Sequence, residues 1–270
     1  MKDYLASGFK QVDNAGQMET FFSCLNLLDS LDFFKDYKQE SFDLLRLEPG
    51  VAVLEVGCGL GDDAIAMIER IQPGGWLVAI DSSIAMIEES RRRHGEYSDV
   101  RFQVADVQKL DYPNESFDRC RIDRTLQHIA NPKQAILEMR RVLRKQGVVV
   151  AFDNDWETFT VNSANRKITR AIANYWCDSF ASGWIGRYMP QLFQESGLRV
   201  AQIIPRTLVI QELELANKVF DVFQTVEKAT QAELVSEQDA EAWIEELQAL
   251  DRVNKFFCSY TGFLIVAVND

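Results

Sequence analysis

An apolar run, Val51-Ala-Val-Leu-Glu-Val56, passes directly into Gly57-Cys58-Gly59-Leu60-Gly61. A buried strand that breaks into three glycines must turn sharply and bring its backbone close to a neighbour, because glycine tolerates positive φ without steric cost. Ala64 to Ile71 then reads as a helix, and a second apolar run, Trp76 to Ile80, ends on Asp81, 24 residues after Gly57. A glycine turn between strand and helix, with an acid at the tip of the next strand, suits a ribose-containing ligand whose hydroxyls donate to that acid. Two such strands joined through a helix are parallel neighbours, so the chain is constrained to an α/β fold.

The following segments extend the pattern. Val100 to Ala105 reads as a third strand ending on Asp106, Phe117 to Ile122 as a fourth, and Val148 to Phe152 as a fifth. Near-continuous apolar runs of this length are strands buried on both faces, which predicts a parallel sheet covered by helices on both sides. Ser82 or Ser83 caps the helix that ends in Arg91-Arg92-Arg93. Asn131 is an N-cap with Pro132 at the first helical position, each favoured there. The helix that follows is expected to run to Lys145, its terminal Arg140, Arg141, Arg144 and Lys145 opposing the negative end of the dipole.

Outside residues 51–153 the texture differs. Residues 1–48 carry Phe21, Phe22, Leu25, Leu28, Phe33, Phe34 and Tyr37 at amphipathic spacing, stopped by Glu48-Pro49-Gly50, and predict two or three helices. Residues 157–196 read as helical and aromatic-rich, 198–210 as a strand, 212–250 as mainly helical and 262–268 as a final strand. The expected organisation is an N-terminal helical cap at 1–48 and a ligand-binding domain at 49–270 with a helical insert at about 155–196.

Composition narrows the partners. The 270 residues carry a net charge of −12, which repels phosphate backbones and anionic membranes, so neither nucleic acid nor a membrane is expected. Five cysteines, Cys24, Cys58, Cys120, Cys177 and Cys258, lie far apart without a C-x-x-C pair. They read as reduced thiols of a cytoplasmic protein, with no metal site expected. Met1-Lys2-Asp3-Tyr4 lacks a signal pattern.

The ligand can be narrowed further. A dinucleotide turn has glycine at its sixth position, with pyrophosphate at the helix N-terminus; here that position is Asp62, followed by Asp63. Carboxylates there repel a pyrophosphate, which disfavours an NAD(P)-dependent oxidoreductase. S-adenosylmethionine (SAM) has a ribose, an adenine and cationic groups but no phosphate, and suits an acid-flanked turn. Val53-Leu-Glu-Val-Gly-Cys-Gly-Leu-Gly61 resembles motif I of the class I SAM-dependent methyltransferases. Asp81-Ser82-Ser83-Ile-Ala-Met86 and Ala105-Asp106-Val107 resemble their next two motifs. Phe117-Asp118, Leu126-Gln127-His128-Ile129 and Val142-Leu-Arg-Lys-Gln-Gly147 resemble the later motifs of the UbiE-like, type 11 small-molecule branch. After the fourth strand this chain departs from the family's apolar or small residues with Asp123-Arg124-Thr125.

The resemblance implies a Rossmann-like fold with a mostly parallel seven-stranded sheet. It implies that Gly57 and Gly59 make room for the methionine moiety, Glu55 lies near the amino group, and Asp81 binds the ribose. Ser82 and Met86 would line the adenine, Ala105, Asp106 and Val107 would contact its edge, and Ile122 and Asp123 would face the methionine end. The product would be S-adenosyl-L-homocysteine. Competing roles are a SAM-binding protein without catalysis and a protein methyltransferase.

For the acceptor, the expectation is a small apolar or aromatic organic molecule methylated on O, N or C by a monomer or homodimer. The N/D-P-P-Y/F/W motif of amino-methylating DNA enzymes and the Pro-Cys of cytosine-C5 enzymes are both missing near Ile122-Asp-Arg-Thr125. Trp156, Trp184 and Tyr188 are candidate acceptor-binding residues, read either as core or as pocket wall. A general base is required only where the acceptor must lose a proton. His128, after the fourth strand, and Asp155, after the fifth, are the candidates, with His128 favoured by its intrinsic pKa for a hydroxyl acceptor.

Overall fold

The computed structural model describes residues 4–14, 16 and 18–270. The extreme N-terminal residues of the expected cap, and most of the segment read for a signal pattern, lie outside them. Seven strands form one sheet: β1 (Ala52–Val56), β2 (Trp76–Asp81), β3 (Val100–Val104), β4 (Phe117–Asp123), β5 (Leu143–Val161), β6 (Arg199–Ile210) and β7 (Cys258–Val268). Their order is β3-β2-β1-β4-β5-β7-β6, with β7 antiparallel to both its neighbours and the other pairings parallel. The order reverses between β1 and β4, and the crevice beyond the carboxyl ends of those strands is where such sheets bind ligands.

Alternation along the strands builds two cores. Leu54, Val56, Cys120, Ile122, Val149 and Ala151 face one side, under helices α6 (Pro132–Val142) and α8 (Ile185–Glu195). Val53, Leu77, Ala79, Val150 and Phe152 face the other. That face carries α2 (Met18–Ser30), α3 (Asp32–Leu44), α4 (Asp62–Ile71), α5 (Ile84–His94) and α7 (Arg166–Asp178). A short α1 (Leu5–Gly8) and helices α9 (Leu213–Phe220), α10 (Val222–Gln231) and α11 (Glu237–Arg252) complete that layer. The five cysteines are free and buried. Among the described residues no helix is long and apolar enough to cross a membrane.

Two expectations are corrected. The helix from Asn131 ends at Val142, because Leu143 is already extended and opens β5. Arg141 and Arg144 donate instead to Leu110, Tyr112 and Glu115 carbonyls and to Asp118, tying the helix end to the loops around β4. The region at 155–196 is not a helical insert from its start. β5 continues to Val161, pairing across a bulge with β7, whose own start at Cys258 precedes the expected one. The alternation Trp156, Thr158, Thr160 is strand texture that the aromatic content masked. Separately, α8 is a sheet-covering helix: Ile185, Met189 and Phe193 have no exposed surface. Phe193→Ala is therefore expected to cost about 3–5 kcal/mol of unfolding free energy. Denaturant titration checks this, and a cost below about 1 kcal/mol would mean that α8 rests loosely on the sheet.

Candidate active site

The parallel register of β1 and β4 sets Glu55 directly opposite Arg121. Both are buried on the α3 side of the sheet, Arg121 at 1 % exposure. Its guanidinium donates to Glu55 Oε1 at 2.5 Å, Asp63 Oδ2 at 3.1 Å, Asp123 Oδ2 at 2.9 Å and Ser41 Oγ at 2.9 Å. It also stands over the Phe42 ring. α3 supplies two further partners one turn away. Tyr37 donates its hydroxyl to Asp123, and Lys38 pairs with Asp63 at 3.1 Å and Asp29 at 2.5 Å. Burial raises the Asp63 pKa, but the Lys38 and Arg121 cations outweigh it and hold the group at about 2. The charge of Asp63 is thus compensated within the fold, which weakens its expected part in excluding pyrophosphate. Asp62 is bound by His94 at 3.1 Å and Arg93 at 3.5 Å.

Above this cluster the glycine turn does what its sequence requires. Gly57, Gly59 and Gly61 have φ of 71°, 52° and 88°. A Cβ on Gly57 would lie 2.0 Å from Thr125 Oγ1, so the turn is packed against the loop after β4. Asp81 accepts from Gly59 N at 3.1 Å and Ser83 N at 2.9 Å, and burial raises its pKa. Ser83, not Ser82, caps α5, accepting from Met86 N. Asp13 reinforces that cap by accepting from Ser83 Oγ and the Ile84 and Ala85 amides.

These elements enclose a cavity of about 350 Å³. Glu55, Gly57, Gly59, Asp81, Ser82 and Met86 line it, as do Ala105, Asp106, Val107 and Asp123. Ile122 does not, because its side chain points into the opposite core. Asp106 Oδ1 already accepts from Gln108 N and Nε2. Glu55 Oε2 is buried without a hydrogen-bond partner. Burial, with Asp63 and Asp123 nearby, pushes the Glu55 carboxyl up to about 8 against the opposing pull of Arg121. An ammonium group arriving at that oxygen would satisfy it and favour its charged form. An unfilled acceptor at the turn, together with the carboxylate at the tip of β2, fits the amino group and ribose of SAM.

The far wall is aromatic: Phe9, Phe34, Trp156, Trp176, Phe180 and Tyr260. His128 lies there, its ring between Phe9 and Phe180. Burial and the Arg124 and Lys10 cations lower its pKa to about 3. A ring that weakly basic is poorly suited to take a proton near neutral pH, which speaks against the expectation of His128 as a base. Asp155 is not on the wall. It is 2 % exposed and held by Arg187 through two bonds of 2.6 and 2.8 Å. Trp184 and Tyr188 are also absent from it, at 41 % and 43 % exposure, because Ile185 and Met189 occupy the sheet-facing side of α8. Trp156 is in place, its indole N–H donating to Gln127 Oε1 at 2.7 Å.

Arg121, Lys38, Tyr37 and Gln127 are the residues that sequence reasoning missed. Arg121 between Cys120 and Ile122 in the expected strand Phe117–Ile122 was a usable signal, since a charge in a buried strand needs partners. Lys38 and Tyr37 gave none, because their partners are distant in sequence.

Comparison with known proteins agrees with this geometry. Residues 47–197 match the family described as methyltransferase domain. The chain is 32 % identical over 246 residues to an uncharacterized protein of transposon TN4556 from Streptomyces fradiae, covering 91 % of this chain and 70 % of that one. It is 31 % identical over 135 residues to the ubiquinone/menaquinone biosynthesis C-methyltransferase UbiE of Coxiella burnetii, covering 49 % of this chain and 54 % of UbiE. In fold it is similar to a Bacillus halodurans protein described as a methyltransferase, with a TM-score of 0.63 and 14 % identity, covering 86 % of this chain and 98 % of the other. The chain belongs to the methyltransferase domain family.

Two measurements probe the site's electrostatics. Arg121→Met leaves buried carboxylates without their shared cation and is expected to cost about 3–5 kcal/mol in unfolding free energy. A urea titration showing less than about 1 kcal/mol would deny the cluster that role. His128 has a folded pKa of about 3, below its ordinary 6.5. It therefore adds stability above pH 6.5 that is lost as pH falls toward 3. His128→Asn should flatten the stability profile across that window, and an unchanged slope would contradict the burial of an uncharged ring.

Proposed function

We propose that the chain transfers a methyl group from SAM to a small, mostly apolar or aromatic organic acceptor, releasing S-adenosyl-L-homocysteine. The observation that carries this reading is the single cavity running from the glycine turn and Asp81 to a wall of aromatic rings. SAM supplies an electrophilic methyl on a sulfonium. The protein's own part is to hold the two reactants at contact distance, exclude water and orient the nucleophile. Asp81 would accept from the ribose hydroxyls, Glu55 from the amino group, and Ala105, Asp106 and Val107 would bound the adenine. The flat rings of Trp156, Phe180 and Tyr260 would hold a planar acceptor by stacking and by area.

The N-terminal residues 1–48 act in this reading as a cap over the domain at 49–270. Leu5, Phe9, Leu25, Leu28 and Phe34 from that segment stand on the cavity wall. The net charge of −12 favours a small molecule over nucleic acid, and the protein would act in the cytoplasm as a monomer or homodimer. With His128 uncharged and Asp155 held by Arg187, neither candidate base stands ready at the wall. That suits an acceptor that arrives already nucleophilic.

Calorimetry tests the cofactor assignment directly. The protein is expected to bind S-adenosyl-L-homocysteine, and Asp81→Ala should weaken binding by about 1.5–3 kcal/mol by removing charge-assisted bonds to two hydroxyls. Unchanged affinity in that variant would sink the ribose assignment.

A further inference from the structure

The hydrogen bonds around Gln127 determine which nitrogen of His128 carries its proton. An indole N–H can only donate, so the Trp156 bond of 2.7 Å requires the oxygen of the Gln127 amide at that position. Asn154 Nδ2 donates to the same oxygen at 3.2 Å. The Gln127 amide nitrogen therefore points the other way, donating to the Arg124 carbonyl at 3.0 Å and meeting His128 Nε2 at 3.2 Å. A nitrogen that receives an amide N–H is an acceptor, so Nε2 is bare and the ring hydrogen sits on Nδ1. Nδ1 is buried and has no hydrogen-bond partner, on a ring that lines the cavity. Gln127 is itself held at its backbone, its N–H donating to the buried carboxylate of Asp153 at 3.1 Å and its carbonyl accepting from Ser182 N at 3.0 Å.

A buried donor with no partner costs free energy until a ligand fills it. We propose that His128 works as a neutral Nδ1–H donor to an oxygen of the acceptor, and that Gln127 is the positioning residue that selects this tautomer. Trp176 Nε1 is a further buried donor without a hydrogen-bond partner on a residue of the same cavity, while Arg124 Nε is paired with Asp123 Oδ1 at 3.6 Å. Asn154 Oδ1 is an unpartnered acceptor beside them, and Glu55 Oε2 is another at the glycine turn. The free donors His128 Nδ1 and Trp176 Nε1, with the Arg124 and Lys10 cations nearby, favour a molecule presenting an anionic oxygen, such as a phenolate or an enolate, over an amine. Burial, aided by the Arg124 and Lys10 cations, keeps the ring neutral, and the same cations favour an anionic oxygen beside it. This inference rests on the methyltransferase reading only for naming the acceptor; the tautomer stands without it.

Long-range proton–nitrogen NMR correlation on the full chain separates the two parts. The expected spectrum shows His128 protonated at Nδ1 only, with no titration between pH 5 and 9, and Gln127→Met releases that tautomer. A wild-type ring protonated at Nε2, or one titrating near its ordinary pKa, overturns the proposal even if Gln127→Met fails to fold. The donor role is read with the protein loaded with S-adenosyl-L-homocysteine, comparing para-nitrophenol and para-nitroaniline as probes. Tighter binding of the phenol, at least tenfold, is expected. That preference should survive in His128→Asn, which keeps an N–H near the same place, and vanish in His128→Phe. Equal binding, preference for the amine, or no binding of either probe overturns the oxygen-acceptor assignment. Failure to bind S-adenosyl-L-homocysteine at all would instead count against the cofactor reading and leave the tautomer result standing.

Discussion

The buried guanidinium of Arg121 is the interaction on which the rest of the site depends. It joins β1, β4, α3 and α4 through Glu55, Asp123, Ser41 and Asp63. Taking several ionised groups out of water is costly, and mutual pairing only offsets that cost when geometry and remaining hydrogen bonds are complete. Here one atom stays unsatisfied, Glu55 Oε2, and it lies on a residue of the cavity wall. The cluster therefore does two jobs. It ties α3 to the sheet, and it leaves one unfilled acceptor on a residue of the cavity wall.

The same economy governs the acceptor end. Asp153 has no exposed surface, and burial raises its carboxyl to about 7, while two backbone amides pull it down. Those amides belong to Gln127 and Asn154, so a buried carboxylate acts as the backbone anchor of the polar network around His128. The network links the side chains of Gln127, Asn154, Trp156 and His128 through hydrogen bonds of 2.7 to 3.2 Å. It ends in the ring nitrogen Nδ1, which has none. Rigid first contacts held by a packed outer layer are what a transfer reaction requires when positioning is the main contribution.

Periodicity and turn chemistry made the central fold readable. Strands β1 to β4 and the helices between them lie where apolar runs and punctuation place them, because buried parallel strands leave an unbroken apolar signature. Asn131 caps α6 as its sequence suggests. Readability failed where aromatic density stood in for helix, at residues 155–161, because Trp156 and Phe159 pack into the core from a long strand, and Trp156 stands on the cavity wall as well. It failed also at Trp184 and Tyr188, since one helix face can serve either core or pocket and local sequence does not distinguish them.

By itself, the sequence determined the parallel sheet, the glycine turn at residues 57–61, the acid at the end of β2 and the family to which these belong. Those features are local: each depends on residues within a strand, a turn and a helix that are contiguous in the chain. Only the tertiary structure decided that Arg121 meets Glu55, that Lys38 and Tyr37 reach Asp63 and Asp123, and that Asp155 is spent on Arg187. It likewise decided the burial of His128 between Phe9 and Phe180. These are pairings between elements distant in sequence, set by strand register and helix packing, and burial then fixes how strongly each charge is felt.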